Sequence, residues 1–370
     1  MHSSRPSTAP DFLLSRTSGS VRTQGSRETF TDAFAASDAL HRGDVEMIVG
    51  ALPFASDDAA ALTVPEKIIR EDGPLEPPAF YRRPLGPATV NGYDPEPGEH
   101  LRRVEAAIDT ISNSRLDKVV LARAVDIAFA EAVDPRHVAA LLINNSAHMD
   151  GFIADLTPAG RQGAMLVGSS PEVLVKRQGS TVTAFPLAGS APRHADARHD
   201  EENGRRLYHS AKDLAEHAFV VEHLREKLGP LCERLDIPER PRLLSTNEMW
   251  HLGTPIVGTL APRNGTLPNA LDLAMTTHPT PAICGTPTEA AEALICTAES
   301  DRGFYAGAVG WCDESGDGEY MVAIRCAEIS GDGLHARAWA GGGIVADSCA
   351  QAELEETSAK LRTIMRTLGL

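Results

Sequence analysis

The sequence contains no run of 18 apolar residues, so no segment is expected to cross a bilayer as a helix. Its N-terminus lacks the apolar core of a secretory signal. Among its six cysteines, Cys232, Cys284, Cys296, Cys312, Cys326 and Cys349, there is no Cys-x-x-Cys pair and no Cys/His cluster with zinc spacing. All six lie in the C-terminal half, mostly among apolar residues, which predicts small, buried, reduced thiols. A reducing compartment, the cytoplasm, is the expectation. Basic charge is short, with 35 Lys and Arg against 51 Asp and Glu and a formal net charge of -16. That balance repels nucleic acid and anionic membrane surfaces and argues against both as partners. It also repels an anionic substrate, so a site for one would need local positive charge from a cation or from Lys and Arg. The Walker lysine and the dinucleotide-binding fingerprint are both missing. No short internal repeat is visible.

What is present is enough for a large core: 370 residues, 42% of them hydrophobic. Residues 1–40 are expected to be a poorly ordered tail. The first thirty are rich in Ser, Thr, Arg and Gly, with little apolar periodicity, so a weakly paired edge is the alternative. Residues 41–370 are expected to form one catalytic domain. Its N-terminal subregion, 41–98, holds a buried strand near 46–54 and a proline-rich connector over 72–98. Helical spacing of Leu101, Val104, Ala107, Ile108 and Ile111 predicts a helix over 99–113. Short apolar runs near 119–125, 152–157, 164–168, 172–176 and 181–187 predict antiparallel strands. A long helix is expected over 200–228, its buried stripe formed by Leu207, Ala211, Leu214, Ala218, Val221 and Leu224. Strand signals return near 241–245, 255–260, 304–311, 319–329 and 334–340. Helices are expected near 287–296 and 350–368. Strands in runs with helices between the runs imply an α+β fold.

Several residues have the chemistry of a site. Asp213 and Glu216, and likewise Glu353 and Glu356, stand three apart on predicted helices. That spacing projects both carboxylates from one face. Two such helices meeting would offer oxygen ligands to a hard cation such as Mg²⁺; for any single pair a solvated surface is the ordinary explanation. Lys118 precedes the most apolar strand of the first half, where a lysine usually marks a wet strand end; buried and neutral, it could serve as a base. Glu172 follows Ser170-Pro171 and opens an apolar strand, where partial burial would make it an acid. Glycine-bearing segments at Pro186-Leu187-Ala188-Gly189-Ser190, Cys284-Gly285-Thr286-Pro287 and Ala340-Gly341-Gly342-Gly343-Ile344 are tight turns or places where backbone N–H groups approach an anion. His251 lies beside a strand. Arg325 sits within Val322-Ala323-Ile324-Arg325-Cys326 and needs a carboxylate partner, either structural or a ligand.

Taken in order, these segments resemble the chorismate-utilising enzymes, and most closely the isochorismate synthases of siderophore pathways. The resemblance runs over about 45–370 through Lys118-Val119-Val120-Leu121-Ala122-Arg123, Ser170-Pro171-Glu172, Lys212-Asp213-Leu214-Ala215-Glu216-His217 and Trp250-His251-Leu252. It continues through His278-Pro279-Thr280-Pro281-Ala282, the stretch from Asp301 to Trp311, Ile324-Arg325-Cys326-Ala327 and Glu353-Leu354-Glu355-Glu356-Thr357. It implies two large stacked antiparallel sheets with flanking helices. It implies that Lys118 activates a water and that Glu172 protonates a departing hydroxyl. By the same resemblance, Glu216 and Glu356 ligate Mg²⁺ directly, and Asp213 and Glu353 do so through waters. Ala188, Gly189, Ser190, His251, Ala282, Arg325, Gly342, Gly343 and Lys360 resemble the substrate-binding set. The implied reaction converts chorismate to isochorismate by adding water at C2 and expelling the C4 hydroxyl. Ammonia-using relatives pair with a glutaminase, and none is expected here; a monomer is. The loop Pro281-Ala282-Ile283-Cys284-Gly285 differs from the Thr-Val-Ser-Gly or Thr-Ala-Ser-Gly core of ammonia users and salicylate synthases. Salicylate synthase is the alternative activity, and a non-catalytic dicarboxylate-binding relative is a more distant one. Menaquinone-type isochorismate synthases share the chemistry.

Overall fold

The computed structural model describes residues 11–262 and 265–370. Its fold is α+β. Among the described residues, seventeen strands join in one antiparallel network, beside a separate three-stranded sheet. The network folds back on itself as two layers. In the first, Met47–Leu52 pairs with Ala308–Asp313, which pairs with Gly318–Val322, which pairs with Val173–Gln178. In the second, Gly151–Asp155 pairs with Met165–Gly168, then Cys326–Ile329, His335–Ile344 and Lys118–Phe129 follow in turn. Alternation along each strand sorts the side chains. Phe152, Ala154 and Leu166 join Met47, Leu174, Val175 and Tyr320 in the core between the layers. Ile153, Met165 and Val167 turn the other way, onto the helices Pro135–Asn145 and Ala350–Thr367.

Residues 11–40 of the expected tail are built into the fold. Phe12–Arg16 and Gly19–Phe30 form a hairpin that joins the two layers. The first strand pairs with Gly151–Asp155 and the second with Ala61–Glu71. Phe12, Leu13 and Leu14 are buried, so the core extends upstream of residue 41. Residues 33–42 form a helix capped by Asp32, whose side chain accepts from the Phe34 and Ala35 N–H groups. Residues 1–10 of the predicted tail lie outside the described residues. The proline-rich connector also contains an element, the strand Ala88–Asp94, which pairs with Lys118–Phe129.

The predicted helix over 200–228 is two helices, Ala197–His209 and Ala211–Leu228. Ser210 separates them: its extended backbone ends the first, and its hydroxyl accepts from the Asp213 N–H at the start of the second. The buried residues of the second helix are His217, Val220, Leu224 and Leu228, while Ala211 and Ala218 are exposed. The thiols are only partly as expected, with Cys284, Cys312 and Cys326 buried but Cys296 and Cys349 exposed. No helix of the described residues is long and apolar enough to cross a membrane.

Candidate active site

The strand Lys118–Phe129 brings Lys118 to the end of the second layer, where it is fully buried. Its Nζ lies 3.0 Å from Glu216 Oε1. The two can meet only because the neighbouring strand carries glycines. A Cβ at Gly343 would fall 2.2 Å from Glu216 Oε1 and 3.0 Å from Lys118 Cε. One at Gly342 would fall 3.1 Å from Glu353 Oε2.

Glu172 enters from the first layer. The turn at Ser170-Pro171 ends against it, and its own N–H donates to Ser170 Oγ at 3.3 Å. The side chain is 3% exposed and accepts only a long bond, 3.4 Å, from the Leu187 N–H. Burial pushes this carboxyl up to about 8, so it carries its proton at neutral pH.

Next to it, the strand Leu187–Pro192 breaks register between Leu187 and Ser190. Gly189 makes the break in a left-handed conformation, φ 79°, with Asp213 and Leu252 against it. His217 pins the turn: its Nδ1 donates to the Ala188 carbonyl at 3.1 Å, and Thr254 Oγ1 donates to its Nε2 at 2.7 Å. Burial lowers His217 to about 4, leaving it neutral.

The four predicted metal carboxylates approach from two helices. Glu356 Oε1 meets Lys360 Nζ at 2.6 Å and accepts from Ser190 Oγ at 3.0 Å. Glu353 Oε1 meets Lys212 Nζ at 3.1 Å and accepts from Ser348 Oγ at 2.8 Å. Its Oε2 is buried with no hydrogen-bond partner. Burial, reinforced by neighbouring carboxylates, raises Asp213 and Glu353 above the usual range. Burial acts to raise Glu356, but Lys360, Ser190 and Lys212 together outweigh it and the net shift is downward. Among the described residues no three Asp, Glu, His or Cys side chains converge closely enough to hold a metal. Three lysines, Lys118, Lys212 and Lys360, instead each hold one carboxylate. The donor chemistry nevertheless fits a hard divalent cation: all oxygen, drawn from two helices, with one oxygen left orphaned.

Arg325 corrects one expectation. It lies between the strands Gly318–Val322 and Cys326–Ile329, not within one, and its φ is 52°. Glu248, Glu356 and Glu172 act on it through space, and none hydrogen-bonds it. A guanidinium that lines a cavity with no carboxylate bonded to it has the chemistry to receive one. His251 faces the same space, 6% exposed, its Nε2 buried without a partner. Burial, then the charges of Arg325 and Lys360, keeps it neutral.

One cavity gathers twelve of the predicted residues: Glu172, Ala188, Gly189, Ser190, Asp213, Glu216, His251, Ala282, Arg325, Gly343, Glu356 and Lys360. Lys118, Gly342 and Glu353 stand behind its wall. The wall also holds residues that the sequence reading left without a role, including Lys212, Ile283, Tyr305 and Trp339. The last two stack with ring centroids 5.8 Å apart. Trp339 had a signal: with Gly341 and Gly343 it occupies alternate positions of one strand and so faces one side.

A family model described as chorismate binding enzyme matches residues 78–369. The MenF protein of Mycobacterium tuberculosis is 45% identical over 365 residues, covering 98% of this chain and 96% of that one. Isochorismate synthase DhbC of Bacillus subtilis is 41% identical over 331 residues, covering 88% and 81%. The crystal structure of DhbC from Bacillus anthracis superposes with a TM-score of 0.89 at 34% identity, over 98% of this chain and 96% of that one. By the family match over most of its length and by these identities, the chain belongs to the chorismate-binding enzymes, in the branch of the isochorismate synthases.

Proposed function

We propose that the protein converts chorismate to isochorismate, adding water at C2 and releasing the C4 hydroxyl. The observation that carries this reading is Glu172, a carboxyl kept protonated by burial in a cavity that also presents an arginine with no carboxylate hydrogen-bonded to it. Hydroxide leaves poorly, and a neutral carboxyl supplies the proton it needs. Lys118, buried and 3.0 Å from Glu216, takes the proton from the attacking water when it is in its neutral amine form, the one form with a lone pair to accept it. Arg325 and the neutral His251 orient the substrate, Arg325 by gripping a carboxylate. Glu216 and Glu356 would hold Mg²⁺, with Asp213 and Glu353 behind them. When bound, the ion would fix a substrate carboxylate and draw electron density from the ring. The role we propose is siderophore supply, from the stretch Asp301 to Trp311, by a cytoplasmic monomer.

The test is incubation with chorismate and Mg²⁺ in the absence of an amine donor. Isochorismate at a steady ratio to chorismate, abolished by EDTA, is the expected result. Salicylate with pyruvate would establish the alternative activity. No product, even with ammonia added, would sink both.

A further inference from the structure

Arg302 belongs to the Asp301–Trp311 stretch yet has no part in the chemistry above. It is 3% exposed. Its Nε and Nη2 both donate to the Glu299 carboxylate, at 2.8 Å each. Nη1 donates to the Ile283 carbonyl at 2.8 Å and Nη2 to the Val120 carbonyl at 2.7 Å. Glu299 Oε1 also accepts from the Ala122 N–H at 2.7 Å. The guanidinium lies over the Phe54 ring, 4.5 Å from its centroid, and 6.0 Å from that of Tyr305. Val120, Ile283 and Tyr305 all line the cavity.

One buried ion pair therefore clamps three segments of the cavity wall. Val120 stands two residues from Lys118 on the same strand, and Ile283 adjoins Ala282. The other bonds across this seam are backbone ones: Val120 N–H to the Cys284 carbonyl at 2.7 Å, and the short pairing of Gly285-Thr286 with Lys118-Val119. We propose that Arg302, held by Glu299, is a positioning residue for the reaction. It fixes the separation between the strand that carries Lys118 and the Ala282–Ile283 wall, and so the place where the attacking water sits. This rests on the isochorismate synthase reading. A planar guanidinium is suited to the task because it reaches two carbonyls and a carboxylate at once in a fixed geometry; an ammonium at the end of a lysine does not.

The test uses the full chain with Arg302→Lys and Arg302→Gln, and Arg337→Gln as a control. Arg337 pairs with Asp126 between the strands His335–Ile344 and Lys118–Phe129, and is not among the residues that line the cavity. Steady-state kinetics on chorismate and hydrogen exchange of the segments 118–124 and 280–286 are measured together. Arg302→Lys should unfold cooperatively, keep its KM, lose about 10²-fold in kcat, and exchange faster in those two segments only. Arg337→Gln should lower the unfolding midpoint without changing kcat. Unchanged exchange in both segments, or kcat per folded molecule equal to that of the parent, would overturn the proposal. A parent enzyme that makes no isochorismate would instead defeat the functional reading, and the exchange pattern would still decide whether Arg302 holds the wall.

Discussion

Gly343 faces Glu216 so closely that a methyl group on the glycine would sit 2.2 Å from Oε1 and 3.0 Å from Lys118 Cε. The backbone at Gly343 is not among those in the left-handed region, so alanine can adopt its conformation. Only the ion pair must yield, and a carboxylate at the end of a flexible side chain can move. Gly343→Ala should therefore fold, with an unfolding midpoint near that of the parent, while kcat falls by about 10²-fold as Lys118 is displaced. A variant that is both stable and fully active would remove the Lys118–Glu216 contact from the mechanism.

Glu172 predicts a pH profile. The proton-donating form is present below its pKa, which burial raises to about 8. The rate should hold through neutral pH and fall as pH rises through about 8, tenfold per unit beyond it. Glu172→Gln should lose about 10²–10⁴-fold in kcat, the range of one general acid. The stability sign follows separately. A carboxyl whose folded pKa is raised contributes stability at low pH, which is lost as pH rises from its ordinary value to the folded one. Glutamine has no such loss, so the variant's unfolding midpoint should gain on the parent's between about pH 4.5 and 8. Thermal unfolding at several pH values checks the sign, and parallel curves would contradict the buried neutral carboxyl.

Arg325 makes a prediction about binding. A charge-assisted bond to a carboxylate contributes about 1.5–3 kcal/mol. Arg325→Gln should then raise KM by about 10- to 100-fold, and Arg325→Lys should recover only part, because an ammonium cannot grip a carboxylate through two parallel bonds. Chorismate binding to each variant, measured by calorimetry, separates this from an effect on the chemical step. Unchanged affinity would assign Arg325 to the fold.

These three residues show what was legible in the sequence. Glu172 stood out because Pro171 precedes it and an apolar strand follows. Gly343 stood out as the third of three glycines in a row, although only the structure shows which side chains need the space. Arg325 was misread, since its apolar neighbours look like a strand and the left-handed break leaves no mark on a non-glycine residue. Ser210 was missed for a similar reason: apolar residues recur on both sides of it, and a serine that caps a helix reads like any polar residue within one. Tyr305 falls within the Asp301–Trp311 stretch, but nothing in that stretch marks it as cavity wall, because the cavity is assembled from strands distant in the chain.

The hairpin at the start was the largest misreading, and it gives the last prediction. Gly19–Phe30 is polar over most of its length, and its outer half is exposed, so the chain alone resembles a tail. Its order comes from partners far along the sequence: Leu14 pairs with both Val21 and Phe152. Leu14 is 2% exposed within the core between the layers. Truncating such a leucine costs about 2–5 kcal/mol, the lost transfer energy plus the cavity left behind. Leu14→Ala should lower the unfolding midpoint by that equivalent while the KM of the remaining folded enzyme stays constant, since Leu14 is not part of the cavity wall. Removing residues 1–30 altogether should go further, because it strips both Gly151–Asp155 and Ala61–Glu71 of a partner and leaves two open sheet edges. The expected outcome is aggregation instead of a smaller folded enzyme, read by size-exclusion chromatography. A soluble, active truncation would show that the two layers hold together without the hairpin.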